Sequence, residues 1–270
     1  MQQNSEARIA TIAEGVELLI ENVAALDASI EVLREAESKR GLWVLAGQAD
    51  EEAAKALILL DVMRMDARDP KATTRQLQCF HQHLARCIYV EMVHMSPATF
   101  REVRTIVESM RPSHYLDGPN DVDWIYPNQL LAERERRLYV DLVGEDEGER
   151  WTTPAHDEEF GFGGPSPAVR NLVGSLARLG LTSAAGLSLV AETWSGREVE
   201  DETHWQEIVA FNGEIAERLV DKGLPTAEAE QADLDRLVSS WGFPLGGLDL
   251  SQRAVSTAEL RKEQERWAPV

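Results

Sequence analysis

From Gly41 to Met65 the chain reads GLWVLAGQADEEAAKALILLDVMRM, an aliphatic stretch broken in its middle by Glu51, Glu52 and Lys55. Charges in the middle of so aliphatic a helix need a reason, because its apolar stripe should face a core. At about 100° per residue, Glu51 and Lys55 project from the stripe of Val44, Ile58, Leu59 and Val62, with Gln48 one turn earlier. Charges on a core-facing stripe have two readings. One is a half-buried i,i+4 ion pair that stays hydrated and stabilises the helix by about 0.2–0.5 kcal/mol. The other is a polar site held in low dielectric inside a bundle, where leaving either charge alone would be expensive.

The rest of the chain supports an all-α fold. Ile9, Ile12, Val16, Leu19, Ile20, Val23, Leu26, Ile30 and Leu33 keep the three/four spacing of one long helix or a broken pair over 5–38. A turn near Lys39–Gly41 is expected next, and the second helix should run to about Asp66, before Arg68-Asp69-Pro70. A third helix is predicted from Thr73 to Met95. A fourth should start with Ser96 as N-cap and Pro97 at the first helical position. Beyond the breaker Gly118-Pro119 a helix is expected over 127–143, then further helices at about 167–180, 183–194, 202–222 and 226–241. No convincing strand and no internal repeat is apparent. The acidic, Gly- and Pro-rich stretch 144–166 reads as a linker between a bundle over 1–143 and a C-terminal helical region over 167–270.

Charge and cysteine content narrow the function classes. A formal net charge of −20 over 270 residues argues against indiscriminate binding to a phosphate backbone. The charge is uneven, with eight basic against five acidic residues over 64–111 and thirteen acidic against four basic over 112–163. No run reaches the roughly 18 apolar residues of a membrane span, and the N-terminus lacks the pattern of a signal peptide, so a cytoplasmic protein without membrane contact is expected. Cys79 and Cys87, placed on one helix, would lie about 12 Å apart and could not pair. Reduced thiols are expected, and neither a structural zinc site nor any cofactor is implied.

Several constellations could carry chemistry. Glu91-Met92-Val93-His94 is one half of the Glu-x-x-His pattern of di-iron bundles, with Asp201-Glu202-Thr203-His204 a poor second copy. Asp117, Asp121 and Asp123 lack the spacing and following Gly of a calcium loop and read as turn and capping residues. Trp151, Trp194, Trp205 and Trp241 are scattered and flanked by acid, which suits core or docking anchors better than a nucleic-acid platform. Arg75 and His81, with five residues between them, fit the loose Arg-x(4–6)-His spacing of metal-independent ribonucleases, where His acts on a ribose 2′-hydroxyl and Arg stabilises phosphate charge. Arg197 and His204 satisfy the same spacing. On the wheel His81 joins the Leu77/Leu84/Ile88 stripe, expected to face the bundle, whereas His83 shares its side with Cys87, Val90 and His94.

IAEGVELLIEN, then ADEEAAKALILLD, then FHQHLARCIYVEM resemble the abortive-infection family AbiV, a branch of the HEPN superfamily of helical bundles. YLDGPNDVDWIYPNQLLAERERRLYVDLV and, more loosely, WGFPLGGLDL are similar to a long-form branch of that family. The resemblance implies an up-and-down HEPN-like bundle with additional C-terminal helices, a bacterial anti-phage role, and RNA cleavage or interference with translation. It also implies a homodimer. Carried onto this chain, the Glu-Glu-x-x-Lys element is Glu51, Glu52 and Lys55, and the Phe-x-x-His element is Phe80 and His83, followed by Arg86, Tyr89 and Glu91. Arg75 to His83 leaves seven intervening residues, outside the usual four to six, so His81 competes with His83.

The expectation is therefore a metal-independent endoribonuclease site built from Glu51, Lys55, Arg75, His81, His83 and Arg86, with Glu52, Tyr89 and Glu91 as binding residues. A short connection over 67–72 would bring both histidines to the height of Glu51 and Lys55. RNA or a phage or host protein would be the partner. The alternative is a non-enzymatic protein whose acidic surface over 112–163 binds a basic partner or mimics nucleic acid. A carboxylate metal enzyme is the third reading.

Overall fold

In a computed structural model that describes residues 2–65, 69–116, 125–145, 148–154 and 166–267, the chain is mostly helical. The first helix, α1 (Gln2–Glu35), lies along α2 (Lys39–Met63). The turn between them falls at Ala36–Ser38, earlier than expected, with Glu37 in the left-handed region at φ 53° and Ser38 N–H donating to the Leu33 carbonyl. Gly41, expected in the turn, sits inside α2. A Cβ there would come within 3.1 Å of Ser38 Oγ and 3.2 Å of a Leu33 methyl, so its missing side chain lets the two helices close together.

The expected third helix is two helices. α3 (Pro70–Cys79) starts at Pro70 with Asp69 as N-cap, accepting from the Lys71 and Ala72 amides, and α4 (His83–His94) begins after a turn at Phe80–Gln82. No Gly or Pro announces this break. What holds it is Arg86, whose Nε donates to the Phe80 carbonyl at 3.0 Å and satisfies a backbone acceptor freed by the interruption. Cys79 and Cys87 thus occupy different helices, so the 12 Å spacing does not apply, and both are free thiols.

Thr99, rather than Ser96, caps α5 (Phe100–Met110). Two short antiparallel ribbons follow in the acidic segment, β1 (His114–Leu116) with β2 (Ile125–Pro127) and β3 (Asp141–Glu145) with β4 (Gly148–Thr152). Between them lies α6 (Gln129–Arg136), where the helix expected over 127–143 is confined to eight residues. Asn128 caps it and also donates to the Met110 and Pro112 carbonyls, tying α6 to the end of α5. Asp117, Asp121 and Asp123 lie outside the described residues.

The remaining helices are α7 (Ala168–Arg178), α8 (Ala184–Trp194), α9 (Trp205–Asp221), α10 (Gln231–Ser240) and α11 (Thr257–Trp267), the last not anticipated by the periodicity. α2 is central: it packs against α1, α3, α4, α7 and α8. Ile58 and Leu60 of α2, Val16 of α1, Ile88 of α4, Leu172 and Leu176 of α7 and Ile215 of α9 belong to one continuous core. Each fully buried side chain of this kind contributes about 1.5–3 kcal/mol. The linker expected over 144–166 divides the chain without dividing that core.

A candidate acid–base site on the second and fourth helices

Glu51 projects from the buried face of α2 and is only 7% exposed, so its carboxylate needs partners. It does not pair with Lys55. His83 Nδ1, at the first residue of α4, lies 2.8 Å from Glu51 Oε2, and Arg86 Nη1 lies 3.2 Å from the same oxygen. The other oxygen accepts from Arg134 Nε of α6 at 2.6 Å. Burial alone would raise the Glu51 carboxyl, but the hydrogen bonds from Arg134 and His83 outweigh it and hold the group below its usual range. An ionised carboxylate only accepts, so Nδ1 carries the proton and Nε2 is left as the basic nitrogen. The His83 side chain is 47% exposed, against 9% for its Glu51 partner: a solvent-facing imidazole is oriented from below by a buried carboxylate.

Lys55 pairs instead with Glu52, one turn back, and Glu52 also accepts from Asn22 and Gln48. Lys55 sits 5.4 Å from the centre of the Phe80 ring, which the turn between α3 and α4 places beneath it. The two halves of the Glu-Glu-x-x-Lys element therefore have different employment: Glu51 reaches α4 and α6, while Glu52 and Lys55 form a nearly buried pair toward α1.

The break at Phe80–Gln82 separates the two histidines. His81 was expected on the bundle-facing stripe; with the helix interrupted it lies in the turn, exposed, its ring edge-on to Phe80 at 5.1 Å. Leu77, on the same supposed stripe, is 39% exposed for the same reason. Arg75 is exposed on α3 and is not among the groups around Glu51. Tyr89 is a core residue: its hydroxyl donates to Asp61 Oδ2 and accepts from Gln76, each at 2.7 Å. Glu91 is half-buried, pushed above the ordinary range by burial, in the wall of a cavity of about 290 Å³ beside Glu51. Trp43, Gln48, Cys87, Arg134 and Arg137 line the same cavity.

Arg134, missed in the sequence reading, comes from a short helix 83 residues beyond Glu51, with no local spacing to announce it. A second missed cluster lies two to three turns further along α2. Asp61 and Arg64, 2% and 4% exposed, pair at 3.2 Å. Asp61 also accepts from Tyr89 and from the Leu245 amide, while Arg64 donates to the Gly242 carbonyl and is stacked between Trp194 and Trp241 at 4.6 and 4.4 Å. Trp194 and Trp241 are thus core anchors, while Trp151 is 71% exposed. Between α1, α2 and α7, Arg170 bridges Asp27 and Asp50; burial nevertheless pushes Asp50 up to about 6.

Among the described residues no group of three or more His, Cys, Asp or Glu is placed to hold a metal ion, and the Glu91/His94 and Asp201/His204 pairs are not brought into one. Nor is any described helix long and apolar enough to cross a membrane. Comparison of the chain with protein-family models, with curated proteins and with solved structures finds no match.

Proposed function

We propose that this chain is a HEPN-like anti-phage defence protein that cleaves RNA without a metal, using His83 as the acid–base group. The observation that supports this reading is the Glu51–His83 pair, an imidazole half in solvent whose inner nitrogen is fixed by a buried carboxylate that also accepts from two guanidinium groups. His83 Nε2 takes the proton of a ribose 2′-hydroxyl as that oxygen attacks the adjacent phosphorus; the P–O5′ bond breaks, leaving a 2′,3′-cyclic phosphate, the departing 5′-oxygen takes a proton from water, and the imidazolium is stabilised by Glu51 until it returns its proton to solvent. Arg86 and Arg134, held beside the imidazole by the same carboxylate, oppose the charge that builds on the phosphate oxygens. His81 and Arg75 have no part in this arrangement.

Total RNA from cells expressing the wild type, His83→Ala or His81→Ala, before and after phage infection and beside purified protein, tests it. Discrete cleavage abolished by His83→Ala and retained by His81→Ala is the expected result. Intact RNA together with phage protection that survives His83→Ala overturns it. The acidic interaction protein then takes its place, sought through a stoichiometric partner released by salt.

A further inference from the structure

Where the N- and C-terminal helices meet, a cavity of about 500 Å³ opens on the side of α2 and α4 away from Glu51. This is within the range of pockets that enclose small organic molecules, and the junction of two parts of a fold is a usual place for one. Its walls are Leu57 from α2, Met92 and Val93 from α4, Trp205 from α9, and Trp241 and Phe243 from the segment after α10. Trp205 and Phe243 stand 6.1 Å apart at 53°, and Phe100 supports Phe243 from behind at 5.9 Å. Exposed polar residues, Ser96, His204, Gln206 and Ser239, belong to the mouth.

We infer that this cavity binds a small, uncharged, planar aromatic molecule. The charge argument is direct. Asp61 and Arg64 are the only carboxylate and guanidinium among the lining residues, and they are already committed to each other. An ionic ligand would lose its hydration without gaining a counter-charge. A flat apolar body instead gains contact with Trp205 and Phe243. The open space is marked independently by Gly242, where an added Cβ would meet nothing nearer than a Trp205 ring carbon at 4.0 Å. This inference is independent of RNA cleavage at His83.

Fluorescence titration of the full chain with prodan, a neutral naphthalene ketone, tests the assignment, with the anionic anilinonaphthalene sulfonate as comparator. Saturable binding of prodan at one site per chain, with blue-shifted emission and tighter than the sulfonate, is expected. Gly242→Leu, which fills the space beside Trp205, should weaken prodan about tenfold or more at an unchanged melting temperature. If that variant melts early, Gly242→Ala supplies a smaller intrusion, expected to weaken binding less. Absent saturation, preference for the sulfonate, or prodan binding indifferent to both folded variants would overturn the proposal.

Discussion

Glu51 and Asp61 are acidic residues on the same helix, ten positions apart and almost equally buried, yet their surroundings differ in one decisive way. Asp61 is enclosed on every side: its partners Arg64 and Tyr89 are themselves buried, and the Leu245 amide closes the remaining side. Glu51 has partners that lead outward, to a half-exposed imidazole and to a guanidinium on α6. A sealed ion pair can fix how helices dock, but it offers no group to solvent. A carboxylate with one exposed partner can tune that partner's chemistry, which is why burial alone did not identify the site.

The sharpest break of this comparison is Asp61→Ala. Removing one member of a buried pair strands Arg64, so unfolding in urea should show a loss of about 3–5 kcal/mol. His83→Ala should behave oppositely, with stability changed by less than about 1 kcal/mol and RNA cleavage reduced by about 10²–10⁴-fold. Glu51→Gln should follow His83→Ala in activity, because the imidazole loses the group that fixes its tautomer.

A third acidic residue sharpens the contrast through pH. The Asp50 carboxyl, pushed up to about 6 in the folded protein, holds its proton longer than in the unfolded chain, where carboxyls titrate near 3.8. Its contribution is therefore most favourable at low pH, declines as pH rises from about 4 to about 6, and is flat above. The full span is about 3 kcal/mol. The wild type minus Asp50→Asn difference in urea midpoint, followed from pH 4 to 7, should show that decline, and a flat difference would refute it. Of the two broken ion pairs, Lys55→Ala should cost less: the pair with Glu52 is nearly buried, but Glu52 keeps its Asn22 and Gln48 donors, so a loss of about 1–2 kcal/mol in thermal denaturation is expected, below that of Asp61→Ala.

How much of this was legible follows the range of the interactions. The 3.6-residue period made α1, α2, α7 and α8 readable to within a few residues, because their apolar faces recur locally. The same period suggested one helix over 73–95, where an arginine side chain closing on the Phe80 carbonyl splits it in two. On one unbroken helix His81 faces the bundle and His83 another side; the break reverses that, leaving His81 in an exposed turn and His83 against Glu51. Glu51, His83 and Arg86 were recoverable from short motifs. Arg134, Arg170 and the Gly242 carbonyl were not, since each meets its partner across 80 or more residues, a distance over which spacing carries no signal.

The core that runs unbroken beneath the acidic segment has a consequence for the chain as a covalent object. Because α2 is clasped by α1 and α4 from one part of the sequence and by α7 and α8 from the other, the two parts have a shared core to hold them together apart from the peptide connection. Two separately expressed fragments, 1–154 and 166–270, should reassemble on co-expression and elute as one particle, while the first fragment alone, with the apolar flank of α2 bare, should aggregate.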